Sequence, residues 1–283
     1  MVSNVIGMYR ERVVMSLEQE IRRYLGNAER IGREIRCFDV IGSTNTYLKC
    51  AALEGAADGT VVIARHQTAG RGRLSRSFES PEGKGLYFSV LLRPEVPAEQ
   101  LLCITAMAGV AVCNAVEYLC GIRPGLKWPN DPVLRGRKIC GVLTELVMDA
   151  AGQPNVVLGI GINVSQTAKD FSPEVAKMAT SLEAELGRKV SRAALAAALI
   201  EELEILYAAL LKNDLTEYLT AYRRDCVNLS KWVQLLRPDG TRETAEAVGV
   251  DDWFGLMVRM PDGSERTVRT GEVSVRGLYG YLE

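Results

Sequence analysis

The chain has 283 residues, 47% of them hydrophobic and 24% charged, and a formal net charge of −1. That length holds one large or two modest domains around a sizeable core, and the near-neutral charge gives no support to a protein devoted to gripping nucleic acid. Seven cysteines are scattered without a Cys-x-x-Cys pair and His66 is the single histidine, so a zinc site is not expected. An odd set of scattered cysteines, with no secretory pattern at the N-terminus, is what a cytoplasmic chain carries.

Residues Met1 to Met15 read as a loose leader or as an early start site, with Met15 the alternative start. Ser16 opens a short helix: Gln19 completes a capping box, Leu17, Ile21 and Leu25 make an apolar stripe, and Gly26 ends it. A strand is predicted over Ile35 to Ile41. Ser43-Thr44-Asn45 follows as a polar turn and cap, then a helix over Thr46 to Leu53. Strands at Thr60 to Arg65 and Gly85 to Arg93 come next. Leu101 to Leu119 is apolar but interrupted by Thr105, Asn114 and Glu117, so it reads as a buried helix, not a membrane span. Further strands are predicted over Gly125 to Trp128, Lys138 to Met148 and Asn155 to Val164. Ser191 then caps a long helix with Leu195, Leu199, Leu203, Leu206 and Leu210 at helical spacing. This mixture indicates an α+β catalytic domain.

The character changes near Asn228. Pro238-Asp239-Gly240 and Pro261-Asp262-Gly263 punctuate short alternating runs, the mark of hairpins. The strands are predicted near Trp232 to Arg237, Thr241 to Gly249, Gly255 to Met260, Glu265 to Arg269 and Val273 to Gly277, a small all-β module.

Four segments carry chemistry. Gly70-Arg71-Gly72-Arg73, continuing to Tyr87, joins permissive glycines to two guanidinium forks that suit carboxylate or phosphate. By pattern alone it serves equally as a solvated turn or an RNA-binding element, and it is not a Walker A loop. Lys127-Trp128-Pro129-Asn130-Asp131 reads either as part of a site or as a strand end with a polar turn. Arg135-Gly136-Arg137-Lys138, leading to Gly141 and Glu145, reads as anion-binding or as a solvated basic hairpin. Gly159-Ile160-Gly161-Ile162-Asn163 thins a strand for close approach or for tight packing. Together they gather arginines, lysines and one aspartate, which suits an anionic reaction centre such as attack on the α-phosphate of ATP. His66 ends the apolar run Val61-Val62-Ile63-Ala64 and is read as a strand-end residue, which leaves the chemistry to Arg, Lys and Asp.

These segments, with Ser43-Thr44-Asn45 and Gln67-Thr68-Ala69 ahead of them, resemble the biotin protein ligases in order and spacing, from about Cys37 to the C-terminus. The resemblance implies a mixed-sheet α+β catalytic domain of the biotin/lipoate ligase type over residues 35–227 and an SH3-like barrel over 228–283. Residues 1–34, with one short helix, are too few for the winged helix-turn-helix of relatives that also repress genes.

The resemblance also implies roles. Ser43, Thr44, Asn45 and Gln67 would hold the biotin head group, with Gly141 beside it. Arg71, Gly72 and Arg73 would order over the biotin carboxylate and the adenylate phosphate. Lys138 would bridge that carboxylate and the α-phosphate. Lys127 and Asp131 would lie beside the phosphates, with magnesium near Asp131. Phe78, Asn130 and Asn163 would serve the adenylate, Asn163 reading the adenine. Phe78 stands where many relatives have tryptophan, so an aromatic face is kept and an indole N–H lost.

The implied substrates are ATP and biotin, with Mg2+, and the implied partner is a biotin carboxyl carrier protein of an acetyl-CoA carboxylase. No nucleic acid or membrane partner is expected, and a homodimer would form through an exposed sheet edge that the sequence does not display. Rival readings are a lipoate or octanoate ligase or transferase on the same scaffold, a biotin-responsive regulator, and an inactive biotin-binding module.

Overall fold

The structure is a computed structural model that describes residues 16–26, 28–73, 76–149, 152–237, 239–269, 274–277 and 281–282; the expected leader over residues 1–15 lies outside them. Ser16 caps α1 (Leu17–Tyr24) through the reciprocal hydrogen bonds of a capping box with Gln19. Strand β1 (Ile35–Ile41), helix α2 (Thr44–Leu53) and strand β2 (Val61–Gln67) form a parallel crossover unit. The Ser43 side chain caps α2, so the helix starts two residues before the predicted Thr46.

After β3 (Gly85–Leu92) come the short α3 (Ala98–Leu101) and α4 (Ile104–Cys120). Strands β4 (Gly125–Lys127), β5 (Asp131–Leu134) and β6 (Arg137–Lys138) pair as a three-stranded antiparallel meander. Sequence reading missed β5 because Pro132 sits inside its four residues, and proline argues against a paired strand. The hairpin of β7 (Cys140–Met148) and β8 (Pro154–Asn163) completes the main sheet, whose order is β1-β2-β3-β8-β7 with only the β1–β2 pair parallel.

Two short helices, α5 (Pro173–Ala176) and α6 (Leu182–Leu186), lead to α7 (Arg192–Leu211) and α8 (Thr216–Asp225). Helix α8 was also missed, since only Tyr218 and Tyr222 among its residues are buried and the apolar stripe is too thin to read. The 98–120 stretch is long and apolar enough for a membrane span by composition. Yet 78% of its most apolar window is buried inside the protein, as the sequence reading expects, and α4 packs on α7 over one face of the main sheet. Helix α2 covers the other face with Leu48 and Ala52 on Val62, Leu91 and Val157.

The C-terminal strands β9 (Lys231–Leu236), β10 (Arg242–Val250), β11 (Leu256–Arg259), β12 (Glu265–Val268) and β13 (Ser274–Gly277) form an antiparallel sheet in the order β12-β11-β10-β9-β13. No pair closes β12 onto β13 among the described residues, so the expected SH3-like barrel is seen as a five-stranded sheet. Its hairpin turns follow from their residues. Gly240 and Gly263 take φ +86° and +87°, and the Asp239 and Asp262 carboxylates accept from the backbone N–H of Thr241 and Ser264. Trp128 fastens this sheet to the main body: its backbone N–H donates to Asn228 and its indole Nε1 donates to the Phe254 carbonyl at 2.9 Å.

Candidate active site

The segments singled out in the sequence converge on one cavity of about 250 Å3. Its walls are the N-terminus of α2, the end of β2 with the loop after it, β3 at Tyr87 and Phe88, the β4–β5 turn, the start of β7, the last half of β8, the segment from Phe171 to Ala179, and the C-terminal residues Val275, Arg276 and Tyr281.

One end is polar but uncharged at its floor. Gln67 Oε1 accepts from the Thr44 backbone at 2.9 Å and from the Thr44 hydroxyl at 3.1 Å, while Gln67 Nε2 donates to Ser80. Ser89 Oγ lies 2.6 Å from both Thr44 Oγ1 and Asn45 Oδ1. Asn45 Nδ2 donates to Glu145, which also receives Lys49 at 2.7 Å and lies 3.6 Å from Arg71. Burial alone would raise the Glu145 carboxyl, but Lys49, Asn45 and Arg71 hold it below the usual carboxylate range.

The glycines of β8 make room for side chains. A Cβ at Gly159 would collide with the Asn45 amide, and one at Gly161 with the Phe78 ring. Phe78 therefore lies flush on β8, edge-on to Tyr87 with ring centroids 6.4 Å apart. Gly141 gives the same clearance to Lys138, whose Nζ would stand 3.2 Å from an added Cβ.

The other end is cationic. Lys138 Nζ sits 2.6 Å from Asp131 Oδ1. Strand-like bonds of its backbone to Met178 O and Thr180 N fix where that side chain starts. Lys127 is almost fully buried and donates to the Val275 carbonyl at 2.7 Å. Burial pulls its ammonium down to about 8, against the attraction of Asp131. Asp131 itself would be raised by burial, but Lys138 and Lys127 hold it low.

Arg73 Nη1 donates to Asn130 Oδ1 at 3.0 Å, and Asn130 is itself held by the Val142 carbonyl. Arg73 Nη2 is buried with no hydrogen-bond partner among the described residues. A buried, unpaired guanidinium nitrogen beside two ammonium groups is a donor set prepared for an anion.

Asn163 lines the cavity, but its amide is turned inward, donating to Thr180 O and accepting from Gln166. His66, the last but one residue of β2, has Nδ1 2.7 Å from the Ser80 carbonyl, which makes Nδ1 the protonated nitrogen.

Residues 37–163 match the model of the Biotin/lipoate A/B protein ligase family. The chain is 35% identical over 262 residues to the biotin–[acetyl-CoA-carboxylase] ligase of Mycobacterium tuberculosis, covering 90% of this chain and 94% of that one. The chain belongs to the biotin protein ligases.

It is also 34% identical over 249 residues to the bifunctional ligase/repressor BirA of Bacillus subtilis, covering 88% of this chain and 76% of that protein. The biotin protein ligase from Aquifex aeolicus, solved in complex with biotin and ATP, superposes with a TM-score of 0.75 at 29% identity, covering 87% of this chain and 99% of that one. This biotin protein ligase also carries site residues that sequence reasoning missed. Glu145 ends one of the four segments, but the resemblance implies no role for it; it is the one charged residue in the apolar run Cys140–Met148, and it holds Asn45 from outside the cavity lining. Arg276 and Tyr281 line the cavity and Ser89 holds Thr44 and Asn45 from behind it; these three had no signal in the sequence, because only tertiary packing brings them there.

Proposed function

We propose that the chain activates biotin with ATP and transfers it to a lysine of a biotin carboxyl carrier protein. In the first half-reaction a biotin carboxylate oxygen attacks the α-phosphorus of ATP. The bond to the β-phosphate bridge breaks, giving biotinyl-5′-AMP and pyrophosphate. In the second, the neutral carrier lysine amine attacks the acyl carbon, the acyl–phosphate bond breaks, AMP leaves with its electron pair, and the amine nitrogen gives up one proton to solvent. Both substrates of the first step are anions, so positioned cations, not a general base, do the work.

The observation that carries this reading is the cavity itself: a neutral hydrogen-bonding floor at one end and Arg73, Lys127 and Lys138 around one buried carboxylate at the other. Ser43, Thr44, Asn45 and Gln67 would hold the ureido head group, and Gly141 would serve biotin by leaving room for Lys138. Lys138 would bridge the biotin carboxylate and the α-phosphate. Arg71, Gly72 and Arg73 would close over both. Phe78, Asn130 and Asn163 would form the adenylate side, the last two by fixing Arg73 and the Thr180 backbone.

Magnesium travelling with ATP needs only one or two protein carboxylates beside the phosphate oxygens. Asp131 would supply one, and the metal would offset phosphate charge. Residues 35–227 form the catalytic domain in this reading and 228–283 the C-terminal domain. The seven free cysteines support a reducing, cytoplasmic setting. The outer edge of β7 has no strand partner among the described residues and exposes Leu146 and Met148, which supports pairing of two copies there as a homodimer. The family model names lipoate as well as biotin. The test is therefore pyrophosphate release by the purified chain offered ATP with biotin, lipoate or octanoate in turn; release with biotin alone is expected, and release with lipoate or octanoate alone would overturn the assignment.

A further inference from the structure

Among the described residues, the cationic end of the cavity holds Arg73, Lys127, Lys138 and Arg276 around one buried carboxylate, Asp131. A lone carboxylate among buried cations has two oxygens to give, and an ammonium caught between both would be a poor partner for a substrate anion. The structure shows what prevents this. Tyr281, 150 residues along the chain, donates its hydroxyl to Asp131 Oδ2 at 2.6 Å, leaving Lys138 on Oδ1. The same ring lies under Lys127, with Nζ 4.6 Å from its centroid, and the Arg276 guanidinium is 5.5 Å from it. A π face stabilises a buried ammonium without neutralising it.

We propose that Tyr281 is a positioning residue for adenylation: its hydroxyl occupies one Asp131 oxygen and its ring supports Lys127, so that Lys138 and Lys127 stay available to the reacting carboxylate and phosphate. The placement makes a residue near the C-terminus part of the reaction centre. Tyr281 acts through Asp131 and the lysines and makes no demand on the biotin head-group end, where Thr44, Asn45 and Gln67 are bonded among themselves. Loss of the hydroxyl should therefore slow turnover and spare biotin binding.

This inference rests on the proposed ligase reading. The test uses the full chain and Tyr281→Phe, with biotin-dependent exchange of pyrophosphate into ATP to follow adenylation and calorimetry to follow biotin binding. Tyr281→Phe keeps the ring and loses only the hydroxyl. Its exchange kcat should fall by about 10-fold, the scale of one charge-assisted hydrogen bond, with the biotin Kd and the ATP KM within about twofold of wild type. Tyr281→Leu, which also loses the ring, should raise the ATP KM as well. An unchanged kcat in Tyr281→Phe overturns the proposal. So does a parallel loss of biotin affinity, kcat and melting temperature, which would make Tyr281 a prop of the fold. Absence of exchange in the wild-type chain is a different failure: it removes the ligase reading and the role of Tyr281 with it.

Discussion

The ring of Phe78 lies on the bare backbone of Gly161, so close that a Cβ at position 161 would stand 2.5 Å from its Cε1. Gly161→Ala must therefore displace the ring from the cavity wall. Overpacking of this kind costs about 1–3 kcal/mol, so a lower melting temperature and a raised ATP KM are expected. Adding Phe78→Ala should recover much of the stability without recovering the KM. A Gly161→Ala chain with wild-type stability and kinetics would show that the ring has nowhere it needs to be.

Lys138 pairs with Asp131 at 2.6 Å, at the cationic end of the cavity where the substrate anions would lie. Lys138→Ala removes a cation needed chiefly in the transition state, so adenylation should slow by roughly 10²–10³-fold. Biotin affinity should change far less. Pyrophosphate release under single-turnover conditions, beside calorimetric biotin binding, separates the two; a full adenylation rate would refute the role.

The elements legible in the sequence were those whose local chemistry settles them. The Ser16 capping box, the aspartate-glycine turns and the leucine spacing of α7 each act within a few residues, and each appears where expected. The basic and glycine-rich segments marked the site for the same reason: bare backbone and guanidinium forks are unusual enough to notice. What stayed hidden was relational. Gly159 and Gly161 read as thinning a strand for close approach or for tight packing; packing is what they provide, and that its partners are Asn45 and Phe78 depends on how α2 and the Phe78 loop fold onto β8. Tyr281 carries no motif at all and matters only because the C-terminal sheet delivers it to Asp131.

Arg73 lines the cavity from a glycine-bearing loop, and its Nη2 has no hydrogen-bond partner among the described residues. Biotinyl-AMP is a reactive mixed anhydride, and charge-assisted bonds from Arg73 would retain it until a carrier arrives. Arg73→Gly leaves Lys127 and Lys138 to support activation, so adenylation should persist while the intermediate escapes. With biotin, ATP and serum albumin, albumin labelling should rise above that of wild type and fall when a free amine is added. Equal albumin labelling by the two chains, with adenylation preserved, would refute the clamp.

Lys127 introduces a pH dependence. Burial brings its ammonium down to about 8, so the cation is intact below that value and is lost as pH rises through it. A bound triphosphate favours the protonated form, so the loss belongs to ATP capture. The ATP KM should climb as pH rises through about 8, while the biotin Kd stays level. A flat ATP KM across that range would mean that Lys127 does not face the phosphates.

Intact-mass spectrometry of a biotin carboxyl carrier domain incubated with the chain, biotin, ATP and magnesium tests the central claim most directly. The expected result is one biotinyl group on a single carrier lysine, with AMP and pyrophosphate formed in step, and no adduct when biotin or ATP is withheld. A carrier that stays unmodified while no pyrophosphate appears would contradict it.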